Sequence, residues 1–151
     1  SPLNYLILIN LTQILPNLFG QILIPQAVLQ ELQSTSAPDV VRQWLINRPS
    51  WLAVQAAPQE DPTLANLDDG EREVIALGQE LKADLLILDE SRGRQVAASR
   101  GFNITGTIGL LDKAGARGLI DVPDAIDRLR QTSFRASPRL LNFLLSRHSA
   151  E

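Results

Sequence analysis

The chain has 151 residues, a length that suits one domain with one sizeable core, and residues 1–151 are expected to form a single domain. It is 44% hydrophobic and 21% charged, with a formal net charge of −3, as in an ordinary soluble globular protein. Cysteine is absent, which excludes a disulfide framework, a thiolate metal site and a cysteine nucleophile. No apolar run approaches the ~20 residues that span a bilayer, and no signal-peptide pattern is present, so a cytoplasmic protein without membrane attachment is expected.

The charges are unevenly distributed along the chain. Residues 60–90 carry ten acidic and two basic side chains, whereas residues 91–147 carry ten basic and four acidic ones. An acidic focus beside a basic half suggests a metal ion together with a polyanion. Two solvated helix faces of opposite charge would give the same pattern, so charge alone leaves both readings open.

Helical and extended patterns alternate along the chain. Ser1-Pro2 is typical of a helix start and predicts helical structure that continues, with a break, to Phe19, where Gly20 ends it. The later predicted elements are a strand at 21–24, a helix at 25–32, a helix at 39–47, an edge strand at 51–54, a helix capped by Asp69 that runs to Lys82, a central strand within 83–90, a helix at 91–100, a strand at 102–105, and helices at 106–118, 123–130 and from Ser137 onward. This alternation predicts an α/β fold with a mostly parallel sheet.

The central strand ends in two carboxylates. Leu85 to Leu88 form an unbroken apolar run, as in a strand buried on both faces, and Asp89 and Glu90 follow it. Ligands of parallel sheets lie just beyond the carboxyl ends of the strands. Acidic residues at 68–73 lie shortly upstream, so these carboxylates are expected to converge. The plainer alternatives are that Asp89 caps the following helix and that the acids at 68–73 favour a helix N-terminus.

Several catalytic chemistries are excluded by what the chain lacks. Its only histidine, His148, lies three residues from the C-terminus, where a solvent-exposed side chain is expected, so a Ser-His-Asp triad or a two-histidine ribonuclease is disfavoured. No P-loop and no GxGxxG motif occurs. Carboxylate chemistry with Mg²⁺ or Mn²⁺, which prefer oxygen ligands, remains.

An ordered set of motifs resembles the PIN-domain superfamily, and in particular proteins similar to VapC toxins. The motifs are residues 1–6, 24–32, 70–77, 86–94 and 105–109. The resemblance implies a three-layer α/β/α fold, a pocket for Mg²⁺ or Mn²⁺ and endoribonuclease activity on RNA. It assigns Glu31, Glu71 and Asp89 as catalytic metal ligands, with Glu73 as a further ligand. It also implies a small antitoxin partner and a homodimer, for which the apolar stretch Leu6–Leu11 offers a face.

Four polar residues are candidates for substrate binding: Asn4, Arg92, Arg94 and Thr107. The two arginines follow the acidic strand end and either contact RNA phosphates or are surface charges. Thr107 either caps its helix or offers its hydroxyl group to a phosphate.

One feature departs from the PIN pattern. PIN domains place a first acidic residue at the end of an N-terminal strand, and this chain begins inside that motif. Since methionine is absent as well, residues with this strand and its aspartate are expected to precede Ser1. The leading hypothesis is a metal-dependent ribonuclease. The second is a catalytically inactive PIN-like module that binds RNA or a protein, and a third, weaker one is a receiver-like domain phosphorylated on Asp89.

Overall fold

This computed structural model describes residues 1–59 and 61–148, in which short strands are separated by one or more helices. The elements are α1 Pro2–Leu8, α2 Ile14–Phe19, β1 Ile22–Pro25, α3 Gln26–Gln33, α4 Asp39–Ile46, β2 Leu52–Gln55, a 3₁₀ turn Pro62–Leu64, α5 Asp69–Leu81, β3 Leu86–Ile87, α6 Ser91–Ser99, β4 Ile104–Thr105, α7 Thr107–Ala116, α8 Val122–Arg130 and α9 Pro138–Arg147. The predicted order of helices and strands is confirmed. Of the helices in the described residues, none combines the length and the apolar character needed to cross a membrane.

All strand pairs in the described residues are parallel. β1 pairs with β2, with Ile22 opposite Leu52, and β3 pairs with β4, with Leu86 opposite Ile104. The helices flank these strands, so the predicted α/β/α fold is confirmed. The central strand is shorter than predicted, because its ladder extends only over the two residues of its partner β4.

The expected single sheet is divided in two. In residues 1–59 and 61–148, β1 has only β2 as a neighbour and β3 has only β4. A cavity of about 570 Å³ lies between the two pairs and is lined by residues 21–25 and 83–90. We call it the inter-sheet cavity.

Two hydrophobic clusters hold the elements together. The larger one joins α1, α2, β1 and α4 to α7, α8 and α9, and the smaller one joins α5 and α6 to β3. Leu6, Ile7 and Ile9 lie in the larger cluster and are at most 6% exposed. Of the Leu6–Leu11 face suggested for a dimer, these three side chains pack inside the chain, and the apolar side chains of Leu8 and Leu11 are half-buried.

The start of α5 differs from the prediction by one residue. Asp68, not Asp69, is the N-cap, since its Oδ1 accepts a hydrogen bond of 2.8 Å from the backbone N–H of Glu71. Glu71 in turn accepts a hydrogen bond from the N–H of Asp68, which completes a capping box. Asp69 instead forms an ion pair with Arg72 on the surface.

His148 is not the exposed tail residue that its position suggested. Its side chain is 12% exposed, and its Nε2 forms a hydrogen bond of 2.7 Å with Oδ1 of Asp112 on α7. Gly115 permits this approach, because a Cβ there would lie 2.9 Å from Cε1 of His148. The hydrogen bond with His148, together with the charge of Arg147, lowers the pKa of Asp112. These contacts attach the last turn of α9 to α7.

Replacing His148 by alanine is expected to lower the free energy of unfolding by about 1 kcal/mol, since a hydrogen bond to a charged group is lost. Urea denaturation near neutral pH measures this difference. Asn142→Ala, an exposed change on the same helix, is the matched control and should leave the midpoint unchanged. Equal midpoints for wild type and His148→Ala would show that the His148–Asp112 hydrogen bond does not stabilise the packing of α9 on α7.

Candidate functional site

Of the carboxylates that line the inter-sheet cavity, five lie beyond the carboxyl end of β1 or β3 or at the start of α5. They are Glu31, Asp68, Glu71, Asp89 and Glu90. They come from α3, from the cap and first turn of α5, and from the segment between β3 and α6. We call this group the acidic rim.

Asp89 is the most firmly held member of the acidic rim. Its Oδ1 accepts a hydrogen bond from the backbone N–H of Thr107, and its Oδ2 accepts one from the Thr107 hydroxyl, both at 2.7 Å. Thr107 is 0% exposed. Asp89 therefore caps the start of α7, the helix that follows the neighbouring strand β4. The alternative that Asp89 caps the following helix α6 is wrong. Its carboxylate also lies at the positive end of the α7 dipole.

Gly106 makes the approach of Asp89 possible. A Cβ at position 106 would lie 2.5 Å from Oδ1 of Asp89 and 2.8 Å from Nη1 of Arg94. The same distances place the Arg94 guanidinium beside the Asp89 carboxylate, and Arg94 also donates a hydrogen bond of 3.2 Å to the carbonyl of Leu88. Arg92 points elsewhere and donates to the carbonyl of Asn66. The predicted substrate residue Arg94 is thus next to the acidic rim.

Glu71 links α5 to the start of α6. Its Oε2 accepts a hydrogen bond of 3.0 Å from the backbone N–H of Gly93, where a Cβ would lie only 2.5 Å from the same oxygen. Partial burial raises the pKa of Glu71 above its usual 4.5, and the nearby Asp68 carboxylate raises it further. Glu71 therefore holds a proton more readily in the folded chain than in the unfolded one.

The raised pKa of Glu71 predicts a pH dependence of stability. The folded chain binds this proton more tightly, so the contribution of Glu71 is complete below pH 4.5 and is lost as the pH rises through the raised pKa. The free energy of unfolding of wild type minus that of Glu71→Gln is therefore expected to fall from acidic to neutral pH. Urea titrations at several pH values measure it, with the exposed Glu80→Gln as control. A pH-independent difference would rule out this linkage.

The carboxylates of Glu31 and Asp68 both lie close to Gly70. A Cβ at Gly70 would lie 3.3 Å from Oε2 of Glu31 and 3.6 Å from Oδ1 of Asp68. Glu31 is exposed, so its carboxylate is accessible from solvent. Asp68 was not among the predicted ligands, although the D-x-x-E capping pattern at 68–71 marks it as an ordered carboxylate.

A comparison with protein-family models decides the family. A model described as a PIN domain matches residues 1–150. The chain belongs to the PIN-domain family. No curated protein and no solved structure matched the chain. PIN domains are in general nucleases, and this membership argues against the receiver-like alternative for Asp89.

Five predicted site residues of this PIN domain lie outside the cavity lining: Asn4, Glu73, Arg92, Arg94 and Thr107. Glu73 accepts a hydrogen bond of 3.0 Å from the backbone N–H of Ala27, so it caps the start of α3. Asn4 is half-buried on α1. Neither residue lines the inter-sheet cavity.

The donor chemistry of the acidic rim suits a hard divalent ion, but the described side chains do not form a ready metal site. Oxygen ligands from carboxylates are what Mg²⁺ and Mn²⁺ prefer. In residues 1–59 and 61–148, however, no three acidic or histidine side chains are close enough together to hold an ion. Hydrogen bonds within the chain hold two of these carboxylates apart from the others. Asp89 accepts from the backbone N–H and the hydroxyl of Thr107, and Glu71 accepts from two backbone N–H groups.

Proposed function

We propose that this PIN domain is a metal-dependent endoribonuclease similar to VapC toxins, which hydrolyses RNA phosphodiester bonds at the acidic rim. The observation that carries the proposal is that Glu31, Glu71 and Asp89, drawn from three separate elements, all line one cavity. Carboxylates far apart in sequence gather at the carboxyl end of a parallel strand, where α/β proteins bind their ligands.

The electrostatics of the acidic rim favour a cation-dependent reaction on a polyanion. The five carboxylates of the acidic rim repel phosphates unless cations neutralise them. Arg94, beside Asp89, supplies one fixed positive charge suited to a phosphate oxygen. A site of this composition therefore needs Mg²⁺ or Mn²⁺ before RNA can approach.

The proposed roles follow from the contacts. Glu31, Glu71 and Asp89 are the proposed ligands of Mg²⁺ or Mn²⁺, and Asp68 is added because it lies beside Glu31. Arg94 and Arg92 are proposed to bind RNA. Thr107 is buried beneath Asp89, so its proposed role is to position that carboxylate. Glu73 is a weaker candidate because its carboxylate caps the start of α3, and Asn4 is weaker because it lies on α1, away from the elements that carry the acidic rim.

The test is a cleavage assay on a fluorescently labelled single-stranded RNA with added Mn²⁺, with Mg²⁺ and with EDTA. Cleavage is expected with either ion and is expected to stop with EDTA, because the acidic rim alone repels the substrate. Heat-denatured protein from the same preparation controls for contaminating nucleases. Cleavage that is equally fast in EDTA would refute a metal-dependent enzyme.

A second candidate function is a catalytically inactive PIN-like module that binds RNA or a protein. It is favoured by the absence of a ready metal site in the residues that the structure describes. Fluorescence anisotropy on the same RNA separates the candidates, since saturable binding without cleavage in Mn²⁺ supports the inactive module.

The expected partners belong to the same proposal. Likeness to VapC toxins suggests a small cognate antitoxin, a homodimer and a cytoplasmic setting. Leu6, Ile7 and Ile9 are buried within the chain, so in the Leu6–Leu11 stretch only Leu8 and Leu11 offer apolar surface to a homodimer.

A further inference from the structure

The outward side of helix α9 carries an aromatic ring that is open to solvent. Phe143 is 58% exposed, and Leu140, one turn before it, is 43% exposed. The inner side of α9 is formed by Leu141 and Leu144, which are buried in the larger hydrophobic cluster. In the part of the chain that the structure describes, Phe143 and Leu140 do not belong to that cluster. The Phe143 ring is therefore available to a molecule outside the chain.

Two arginines flank Phe143 on the same face of α9. Arg139 precedes the ring by four residues and Arg147 follows it by four, and side chains four residues apart are neighbours on a helix surface. Cζ of Arg147 lies 5.7 Å from the centroid of the Phe143 ring, which is within the range of a cation–π contact. We call Arg139, Leu140, Phe143 and Arg147 the outer face of α9. It combines an exposed ring with two guanidinium groups, and a nucleic-acid base can stack on the flat faces of both kinds of group.

The outer face of α9 belongs to a strongly basic stretch. Residues 128–147 contain five arginines and no acidic residue, although the whole chain has a net charge of −3. Among the ion pairs of residues 1–59 and 61–148, none involves Arg135 or Arg139. Arg147 pairs with Asp112 but stays exposed. This surplus of positive charge suits a polyanion.

Arg139 lies where a positive charge lowers the stability of a helix. It is the second residue of α9, and the positive end of the helix dipole lies at that terminus. Residues 138–141 contain no acidic side chain that would offset the charge. The first turns of α5 and α8, in contrast, contain acidic residues, as the dipole favours. A phosphate beside Arg139 would interact favourably with both the guanidinium group and the helix dipole.

The outer face of α9 is separate from the inter-sheet cavity but is attached to α7, the helix that Asp89 caps. None of the residues that line the cavity in the described chain belongs to α9. Nε of Arg147 donates a hydrogen bond of 3.1 Å to Oδ1 of Asp112. Asp112 follows Thr107, the first residue of α7, by five residues, which is ~8 Å along the helix axis. RNA at the acidic rim is therefore a polyanion close to the helix on which α9 packs.

We propose that the outer face of α9 binds single-stranded RNA without selecting its sequence. An unpaired base stacks on the ring of Phe143, and Arg139 and Arg147 contact phosphates on either side of it. These arginines are eight residues apart, ~12 Å along the helix axis, a length that about three stacked nucleotides span. That the polyanion is RNA rests on the proposed function, whereas the site itself is a binding surface outside the acidic rim.

The combination of ring and charge favours a single strand over other polyanions. The bases of a double helix are stacked on one another, so their faces are not open to the Phe143 ring. A carboxylate of an acidic protein would pair with the arginines and leave the ring without a partner. A single strand uses both, because its bases have open faces and its phosphates are charged.

The binding test follows the fluorescence anisotropy of a labelled, unstructured RNA of ~12 nucleotides that is titrated with the 151-residue protein in EDTA. EDTA stops metal-dependent cleavage and leaves the acidic rim negative, so binding there is disfavoured. Saturable binding is expected, and it should weaken as salt is added because phosphate contacts release counterions. An abasic oligomer of the same length keeps the phosphates but lacks the bases, so it should bind about tenfold more weakly.

Matched substitutions separate stacking from simple charge attraction. Phe143→Ala is expected to weaken RNA binding about tenfold and to leave the binding of the abasic oligomer unchanged. Phe143→Leu, which is apolar but has no flat ring, should weaken RNA binding as well, whereas Phe143→Trp should retain it. Arg139→Gln is expected to lower the slope of log Kd against log salt concentration by about 0.7, the value for one phosphate contact to a single strand.

The control variants are Ile46→Ala and Arg48→Gln, at and just after the end of α4. Both side chains are exposed and lie outside the outer face of α9. Each control removes an apolar or a positive group of the kind removed from α9, and it should leave the RNA affinity within about twofold. Thermal unfolding midpoints check that Phe143→Ala, a change at an exposed position, leaves the protein folded.

Several outcomes would overturn the proposal. They are the absence of saturable binding, an unchanged RNA affinity of Phe143→Ala or Phe143→Leu, and equal binding of the abasic oligomer. Binding to anionic phospholipid vesicles that requires Phe143, without RNA binding, would identify a membrane-surface site instead. The nuclease proposal fails separately: Phe143-dependent binding without cleavage in Mn²⁺ refutes the nuclease alone, and cleavage with Phe143-independent binding refutes the α9 site alone.

Discussion

Replacing Asp89 by asparagine is expected to reduce RNA cleavage by about a hundredfold or more, because even outer-shell changes at metal sites commonly cost 10–100-fold. The substitution removes a charge from the acidic rim but keeps the side-chain size. Asparagine still accepts from the Thr107 N–H through its oxygen, and its amide group donates to the Thr107 hydroxyl, which both donates and accepts. Initial rates with saturating RNA and Mn²⁺ measure the effect.

Asp84→Asn is the matched control for this prediction. Asp84 lines the same cavity but lies ahead of β3, on the same segment as Asp89, and it is exposed. The same substitution there should leave the rate within about twofold, since a solvated surface charge contributes little. Wild-type turnover by a folded Asp89→Asn protein would remove Asp89 from the proposed metal ligands.

Most of the fold follows from local sequence patterns. Ser137 and Pro138 mark the start of α9, and Gly20 ends α2, as predicted from capping chemistry. The assignment of the α5 cap to Asp69 was wrong by one residue, because adjacent aspartates at 68 and 69 both suit an N-cap and only the reciprocal bonds with Glu71 distinguish them. The extent of β3 was also overestimated. An apolar run predicts burial, but strand length depends on a partner that is distant in sequence.

The candidate site is only partly predictable for the same reason. Sequence position suggested that Asp89 lies at a strand end, and it does. The contact of Asp89 with Thr107 joins residues 18 apart and depends on the pairing of β3 with β4. The contact of Glu73 with the start of α3 likewise depends on helix packing. A carboxylate at the start of a helix looks the same in sequence whether it binds a metal ion or caps a neighbouring helix.

Replacing Thr107 by valine is expected to lower the free energy of unfolding by about 1–3 kcal/mol, because a hydrogen bond to a charged carboxylate is lost at a buried position. Valine has nearly the shape of threonine, so the packing around position 107, which is 0% exposed, is retained. The Asp89 carboxylate keeps only its bond from the backbone N–H and becomes free to rotate. Urea denaturation measures the loss of stability.

A purely structural role of Thr107 would change stability alone, whereas a positioning role also changes the cation requirement of the enzyme. The Mn²⁺ concentration for half-maximal cleavage by Thr107→Val is therefore expected to rise by about tenfold or more at a temperature where the variant is fully folded. Thr107→Ser keeps the hydroxyl group and should restore the wild-type Mn²⁺ dependence, although it loses a methyl group from the core. If Thr107→Ser and Thr107→Val show the same Mn²⁺ dependence, the hydrogen bond from the Thr107 hydroxyl does not position the Asp89 carboxylate. The role of Thr107 is then limited to packing in the core.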